Sequence, residues 1–213
     1  MTRHTRRLGL TAIELMVSLA VVGVIVGSVL TASLSSTRLA ETSISDTVLD
    51  NKLGGTMTRL VSELTDIVGS ETIADLSPFA AASAIDFRIS LGWGGGPVLG
   101  PPMLLAWEME EGELDNGIDD DRDGLVDEGV VVRTENPGMA DEVRVVLVRG
   151  VSEYLEGEVP NLVDDNGNGV TDERGLCFTL ESGLLTIWLT VQKSFPDGAV
   201  AERTLETSIL LRN

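Results

Sequence analysis

An uncharged apolar run near the N-terminus constrains this chain more than any other feature. No charged residue occurs from Leu15 to Leu30, and the wider window from Leu10 to Leu34 contains only Glu14. About 20 apolar residues in a helix cross the hydrocarbon core of a bilayer. Because backbone groups in lipid must be hydrogen-bonded within the segment, the run predicts one transmembrane helix over residues 10–34.

The residues before this run predict how the segment is processed and oriented. A secretory signal peptide has an apolar core of about 7–15 residues followed by a small-residue cleavage site. Here the small residue, Gly9, precedes the apolar run, and three arginines precede Gly9. Cleavage after Gly9 would remove a leader, residues 1–9, and leave Leu10 as the first mature residue. The positive-inside rule places the leader in the cytoplasm and the chain after Leu34 on the other side of the membrane.

Gly9 at the last leader position and Glu14 at the fifth mature position resemble the prepilin-type segment of type IV pilins and type II secretion pseudopilins. The resemblance covers residues 1–30, and Leu10 departs from the usual phenylalanine at the first mature position. It implies cleavage by a prepilin peptidase, methylation of the new N-terminus and assembly with other pilins or pseudopilins through the N-terminal helix. It also implies a salt bridge between Glu14 and the free amine of a neighbouring subunit.

Glu14 carries the physical argument for assembly. A charged side chain at membrane depth costs about 2.5–3.5 kcal/mol on insertion scales, so it is rarely left there without a partner. The alternative is a glutamate near the helix end whose carboxylate reaches the headgroups. A basic leader that ends in glycine favours the assembly role.

The composition argues against several functions. The net charge is −19 at pH 7, and a surface this acidic repels phosphates, so no nucleic-acid partner is expected. The only histidine, His4, lies in the predicted leader, which leaves no imidazole for a catalytic triad or a zinc site. We therefore expect no enzymatic activity. Cys177, the only cysteine, cannot form an intramolecular disulfide and is predicted to be a buried thiol in a strand.

Beyond the membrane segment, the sequence predicts a second helical half. Apolar residues between Thr37 and Val68 recur at spacings of three and four, which favours an amphipathic continuation of the helix over residues 35–69. The glycine pair at 54–55 marks a predicted bend, because glycines weaken a helix interior. Gly69 is the predicted C-cap.

The remaining residues, 70–213, predict a β-rich domain of an α+β fold. Segments rich in β-branched, leucine and aromatic residues alternate with turn-forming residues, which favours antiparallel strands. A glycine- and proline-rich loop over residues 92–102 interrupts them. The strand candidates are 85–91, 103–109, 130–134, 143–148, 176–180, 184–192 and 204–211. We expect the long helix to pack on this sheet, and Trp93, Trp107 and Trp188 to pack in the core or on the sheet face.

Two acidic loops are the second strong pattern. Residues 116–128 align without a gap on residues 161–173, 45 positions further on. Within each loop we count from Asp119 and from Asp164 as position one. Oxygen-bearing side chains then lie at positions one, three and five, a glycine lies at six, and an apolar residue whose carbonyl can bind an ion lies at seven. This spacing resembles the first half of an EF-hand loop. The predicted ligands are Asp119, Asp121, Asp123, Leu125, Asp127 and Glu128 in the first loop, and Asp164, Asn166, Asn168, Val170, Asp172 and Glu173 in the second.

The loops depart from an EF-hand at position twelve, where Val130 and Gly175 replace the bidentate glutamate. They resemble the shorter calcium loops of dockerin and thrombospondin type 3 repeats, in which one of the last two acidic residues of each loop would complete the shell. The predicted cofactor is Ca²⁺ at two sites, because Mg²⁺ demands stricter octahedral geometry. The alternative is a pair of solvated acidic turns.

These patterns together predict a structural protein of the bacterial inner membrane with a single membrane pass. The N-terminus would be cytoplasmic before processing, the C-terminal domain periplasmic, and the mature protein part of a type IV pilus or type II secretion pseudopilus. The large domain and the ending at residues 211–213 are similar to minor pilins of the PilW kind, and the domain also resembles J-type minor pseudopilins. This favours an assembly-priming or tip complex. The alternatives are a tip adhesin or cargo-binding module, and a membrane-anchored calcium-binding domain that does not polymerise.

Overall fold

The structure, a computed structural model, describes residues 12–65, 67, 82–195 and 198–211, without the side chains of residues 34–46. The predicted leader and processing site, with Gly9 and Leu10, and the predicted cap Gly69 lie outside the described residues. The chain divides into two units, residues 1–45 and 46–213.

One helix, α1, spans Ala12–Leu64 and continues through the glycine pair at 54–55. Within the first unit, Ala12–Ser33 is long and apolar enough to cross a membrane, and none of this segment is buried. The helix ends at Leu64 rather than near Val68, because Ile67 leaves the helical path to form a bridge with Ile89.

In the second unit, α1 contributes one face to the hydrophobic core. Leu49, Leu53, Leu60 and Leu64 are each at most 1% exposed, and Met57 is 4% exposed. Their spacing of three and four places them on the same side of the helix. The core that contains them also contains apolar side chains of the β-rich domain, including Phe87, Val131, Phe178 and Leu189.

Nine strands are present among the described residues, and all pairings between them are antiparallel. Seven of them form one sheet, in the order β1-β4-β5-β6-β8-β7 with β9 paired to β8, and β2 and β3 form a separate hairpin. The strands are β1 Ala84–Phe87, β2 Ser90–Trp93, β3 Pro97–Leu99, β4 Met103–Met109, β5 Gly129–Glu135, β6 Val143–Val151, β7 Leu176–Glu181, β8 Leu184–Ser194 and β9 Val200–Leu210.

The region around β2 corrects three predictions. The predicted strand 85–91 is two strands, separated where the chain turns from β4 to pair with β3. The predicted loop 92–102 contains the β2–β3 hairpin, whose tip is closed by a bond from the Gly94 amide to the Gly96 carbonyl, 2.9 Å long. Trp93 lies near this tip and is 80% exposed, so it is not packed as expected. Trp107 and Trp188 are half-buried.

The pairing along β8 explains where the second acidic loop leaves the sheet. Because β9 pairs with the whole of β8, both β6 and β7 must occupy its other edge. Val151 at the end of β6 pairs with Val191, and Leu176 at the start of β7 pairs with Leu189. Residues 152–175 therefore leave the sheet and return almost to the same place.

The first acidic loop joins the end of β4 to the start of β5, two strands that pair along their whole length. Met109 pairs with Gly129, and the amide of Glu110 donates to the carbonyl of Glu128 at 3.1 Å. We call residues 110–128 loop 1 and residues 155–173 loop 2. Both loops are thus held at their ends by backbone hydrogen bonds of the sheet or next to it.

Candidate metal centres

The two loops share a backbone conformation as well as a sequence pattern. Asp127 and Asp172 have φ values of 52° and 53°, in the left-handed region that non-glycine residues rarely adopt. Positive φ recurs at the same 45-residue offset elsewhere in the loops. The other matched pairs are Gly112 and Gly157, Gly117 and Leu162, Arg122 and Gly167, and Gly124 and Gly169. The two loops therefore repeat in backbone conformation as well as in sequence, so matched side chains begin from the same backbone geometry in both loops.

The carboxylate at position one closes each turn. Asp119 accepts hydrogen bonds from the amides of Arg122 and Gly124, at 2.6 and 3.0 Å. Asp164 accepts from the amides three and five positions further on, at 2.6 and 2.9 Å. The same side chain can therefore organise the turn and direct its oxygens toward the loop interior.

Positions three and five form the short side-chain-to-backbone turns that Asp and Asn favour. Asp121 accepts from the amide of Asp123 at 2.9 Å, and Asp123 accepts from the amide of Leu125 at 2.9 Å. The corresponding bonds in loop 2, from Asn166 and Asn168, are 2.9 and 2.8 Å. These bonds fix the rotamers of the side chains that the sequence predicts as ligands.

Asp127 and Asp172 fasten the ends of their loops. The two oxygens of Asp127 accept from the amides of Asn116 and Gly117, at 3.0 and 2.7 Å. The two oxygens of Asp172 accept from the matched amides of loop 2, at 3.0 and 2.9 Å. Because the carboxylate oxygens of Glu128 and Glu173 accept no hydrogen bond, these two side chains are the better candidates for completing an ion shell.

Glu113 and Glu158 are buried loop carboxylates that sequence reasoning missed. Glu113 is 5% exposed, and its carboxylate accepts from the amides of Asp120, Asp121 and Asp127, at 3.0, 2.8 and 3.3 Å. Glu158 is 8% exposed and makes the bonds to residues 166 and 172 that match two of these, at 2.9 and 3.2 Å. The signal was available, because Glu-Gly-Glu at 111–113 repeats at 156–158 with the same offset.

Glu128 and Glu173 are the most unusual side chains of the two loops. They are 0% and 3% exposed, and neither oxygen of either carboxylate has a hydrogen-bond partner. Buried polar groups in folded proteins are nearly always paired, and an unpaired buried charge is costly. A cation in each loop would give the buried carboxylate of that loop a partner.

The electrostatics of these two carboxyls reflect the same situation. Burial raises the pKa of Glu128 to about 7, its own nearby backbone amide opposes this without reaching hydrogen-bond geometry, and the carboxylates of Asp123, Glu113 and Asp121 raise it further. Burial also raises the pKa of Glu173, although the neighbouring Asn168 side chain partly offsets it without reaching hydrogen-bond geometry. A bound cation would lower both values, because it favours the ionised form.

The acidic side chains of loop 1 are close enough to share an ion. Carboxylate oxygens of Glu113, Asp121 and Glu128 lie within 4.8 Å of one another, as do those of Asp119, Asp121 and Asp123. Oxygen ligands at 2.3–2.6 Å from a calcium ion are at most about 5 Å apart. Asp121 belongs to both groups, so the ligands converge on one region. These acidic clusters can hold a metal ion.

Both loops end against the same tryptophan. Gly129 follows Glu128, and a Cβ at this position would lie 2.3 Å from the Trp107 ring. Arg174 follows Glu173, and its guanidinium lies 4.9 Å from the centroid of the Trp107 ring. The side chain of Arg174 also forms an ion pair with Glu153. Trp107 therefore contacts the residue that follows the last predicted ligand of each loop.

Cys177 lies close to loop 2 but outside its ligand set. It is 1% exposed, which confirms the predicted buried thiol. Burial raises the pKa of this thiol to about 12, and the negative charge of Glu173 adds to the effect. A neutral, enclosed thiol is a poor nucleophile and a poor ligand.

Comparisons with protein families, with curated proteins and with solved structures found no match to this chain. The function is therefore argued from the residues themselves.

Proposed function

We propose that this protein is a membrane-anchored structural subunit of the type IV pilin or type II secretion pseudopilin kind, with a β-domain ordered by two calcium ions. Its proposed place is the assembly-priming or tip complex of the filament, with the β-domain on the periplasmic side of the inner membrane. The partners are other pilins or pseudopilins and the prepilin peptidase.

The observation that carries the proposal is the first half of α1. Its apolar side chains are exposed all around the helix, with Ile13 and Met16 at 74%, Val24 at 73% and Leu19 at 72%. Apolar surface in water costs about 25 cal/mol per Å². A fully apolar, fully exposed helix is stable only when lipid or another apolar helix covers it.

Glu14 gives this helix a role beyond anchoring. It is the only charged residue of Ala12–Ser33 and lies in the first turn of α1. The resemblance to prepilin segments implies that its carboxylate pairs with the amine of Leu10 of a neighbouring subunit. In lipid such a pair replaces two separate charges, each of which is costly there.

The assembly role can be tested in cells that express the full chain together with a prepilin peptidase and the other subunits of a pilus or pseudopilus. We expect the natural protein to be cleaved between Gly9 and Leu10 and to sediment with filaments, and Glu14→Ala to insert in the membrane but stay out of filaments. Ser18→Ala is the control, because it removes a hydroxyl that bonds to the Glu14 carbonyl but keeps the carboxylate. Incorporation of Glu14→Ala at the natural level contradicts the proposal.

Two further results would decide between the alternatives. An intact N-terminal methionine on the natural protein, measured by mass spectrometry, contradicts processing. A cleaved natural protein that never sediments with filaments favours the anchored domain that does not polymerise.

Calcium is the proposed occupant of the loops because of their donor set. Loop 1 offers carboxylate oxygens, loop 2 offers carboxylate and side-chain amide oxygens, and each loop adds one backbone carbonyl at position seven. Such hard oxygen donors suit Ca²⁺. The proposed side-chain ligands are Asp119, Asp121, Asp123 and Glu128 in loop 1, and Asp164, Asn166, Asn168 and Glu173 in loop 2. Carbonyls of Leu125 and Val170 complete the sets, and Asp127 and Asp172 fasten the loop ends.

Thermal unfolding of the full chain in detergent tests this occupant. We expect calcium to raise the melting temperature and excess chelator to lower it, because an ion that binds only the folded state stabilises that state. Magnesium at the same concentration should give a smaller shift. A melting temperature that does not respond to either calcium or chelator contradicts calcium binding.

A further inference from the structure

Loop 1 and loop 2 differ in charge at matched positions. Positions three and five are Asp121 and Asp123 in loop 1, but Asn166 and Asn168 in loop 2. Position one and the buried glutamate at the end are carboxylates in both loops. Loop 1 thus offers four carboxylates to an ion and loop 2 offers two carboxylates and two amides.

The geometry of the two loops is otherwise matched, so charge is the variable that separates them. The bonds at positions three and five are within 0.1 Å of each other between loops, at 2.9 and 2.9 Å against 2.9 and 2.8 Å. The buried anchors Glu113 and Glu158 bind the same two backbone amides in each loop. Among the other residues, Glu110, Asp115 and Arg122 of loop 1 have no charged counterparts in loop 2. Glu110 forms an ion pair with Arg149, and the opposite charges of Asp115 and Arg122 largely cancel.

Each loop also contains an observation that points to a cation independently of the acidic cluster. The carboxylates of Glu128 and Glu173 are more than nine-tenths buried, and none of their oxygens has a hydrogen-bond partner. In loop 1 the Glu128 oxygens lie within 4.8 Å of those of Asp121 and Glu113. Loop 1 therefore places a cluster of carboxylates around its buried glutamate, whereas among the described residues the buried glutamate of loop 2 has no such acidic cluster, because two of the matched side chains are amides.

We propose that the two loops are unequal calcium sites, a tight site in loop 1 that stays filled and a weaker site in loop 2 that responds to the calcium concentration. The proposal rests on calcium binding as proposed above. Calcium affinity follows the number of charged ligands and the rigidity of the site. A calcium ion leaves loop 1 with two excess negative charges among its ligands and balances the two carboxylates of loop 2.

The position of loop 2 gives its occupancy a structural consequence. Loop 2 lies within the excursion between β6 and β7, and Glu156 in this loop accepts a hydrogen bond from the amide of Thr204 in β9, at 3.1 Å. The amide of Glu156 also donates to the Thr190 hydroxyl in β8, at 3.3 Å. Loss of the ion from loop 2 would loosen these contacts to β8 and β9, while loop 1 keeps the β4–β5 connection ordered.

Calorimetric titration of the full chain in detergent micelles with calcium alone tests the inequality. We expect two binding phases whose affinities differ at least about tenfold. The double variant Asn166→Asp/Asn168→Asp should tighten the weaker phase about tenfold and leave the stronger one unchanged. The reverse variant Asp121→Asn/Asp123→Asn should weaken the stronger phase by a similar factor. Met139→Asp, which adds a carboxylate outside both loops, should change neither phase.

The outcomes separate this inference from the proposed function. Two sites of equal affinity in the natural chain, or charge swaps that leave both affinities unchanged, overturn the inequality and keep calcium binding. The absence of any binding overturns both. Circular dichroism shows whether each double variant folds. Because one variant changes loop 2 and the other changes loop 1, either of them alone can overturn the inference if the other does not fold.

Discussion

The guanidinium of Arg174 lies over the ring of Trp107, 4.9 Å from its centroid. The ring packs so closely beside Gly129 that a Cβ there would lie 2.3 Å from it, and its Nε1 donates to the Ser152 carbonyl at 3.2 Å. Because Gly129 and Arg174 directly follow Glu128 and Glu173, this one side chain contacts the ends of both candidate metal loops.

Trp107 should therefore report ion binding. We expect calcium addition to the chelated full chain to change the tryptophan fluorescence intensity, and Trp107→Phe to reduce that change, with the remainder from Trp188, which lines a cleft with Asn166 and Asn168 of loop 2. Trp93→Phe is the control, because Trp93 is 80% exposed on the β2–β3 hairpin and should contribute only a constant background. A calcium response that is unchanged in Trp107→Phe, or that disappears in Trp93→Phe, would contradict the contact.

Replacing Gly129 tests how tightly the end of loop 1 is packed. Gly129→Ala should lower the free energy of unfolding by about 1–3 kcal/mol, because the added methyl overlaps the Trp107 ring. Urea denaturation measures this change. Gly54→Ala is the matched control, since a Cβ at this helical glycine meets nothing within 4 Å, and it should stabilise the protein by about 0.5–1 kcal/mol. Equal effects of the two substitutions would be inconsistent with the packing described.

Glu113 is predicted to organise loop 1 from within. Glu113→Ala removes the acceptor of three amide bonds and leaves one buried and two part-buried donors behind, so it should cost about 1–3 kcal/mol of stability. It should also weaken calcium binding to loop 1, as loop rigidity falls. Glu111→Ala, two residues earlier and exposed, should leave both unchanged. The measurements are urea denaturation and calcium titration, and a Glu113→Ala protein with natural stability and affinity would exclude this role.

The thiol of Cys177 is predicted to resist modification in the folded protein. Its pKa is raised to about 12, so almost no thiolate exists at pH 8. A disulfide reagent at pH 8 should label the chain only after denaturation. The neutral form is favoured by folding, so this group's contribution to stability is full below the pKa of the unfolded thiol and is lost as the pH rises from about 8.5 toward 12. Rapid labelling of the native protein would contradict this environment.

Several parts of the fold were predictable because they depend on local patterns. Helical spacing identified the buried leucines of α1, and β4 was predicted at its observed bounds, Met103–Met109. The two acidic loops were found because a gap-free repeat reports a shared backbone. In each case the signal lies in a short segment, or in the comparison of two short segments 45 residues apart.

The features that escaped prediction depend on tertiary contacts. The division of segment 85–91 follows from two different partners, β4 for its first half and β3 for its second. The shared edge of β8, which lets loop 2 leave and rejoin the sheet, is a matter of register between distant strands. Glu113 and Glu158 look like ordinary surface acids in the sequence, and only their burial against backbone amides shows what they do.

The number of calcium ions bound per chain tests most directly the claim that the buried glutamates of the two loops hold cations. Equilibrium dialysis of the full chain against calcium, followed by elemental analysis, should give two ions for the natural protein and for Glu111→Gln. It should give one ion for Glu128→Gln or Glu173→Gln and none for the double variant. A natural protein that binds no calcium, or a double variant that still binds two ions, would contradict the account.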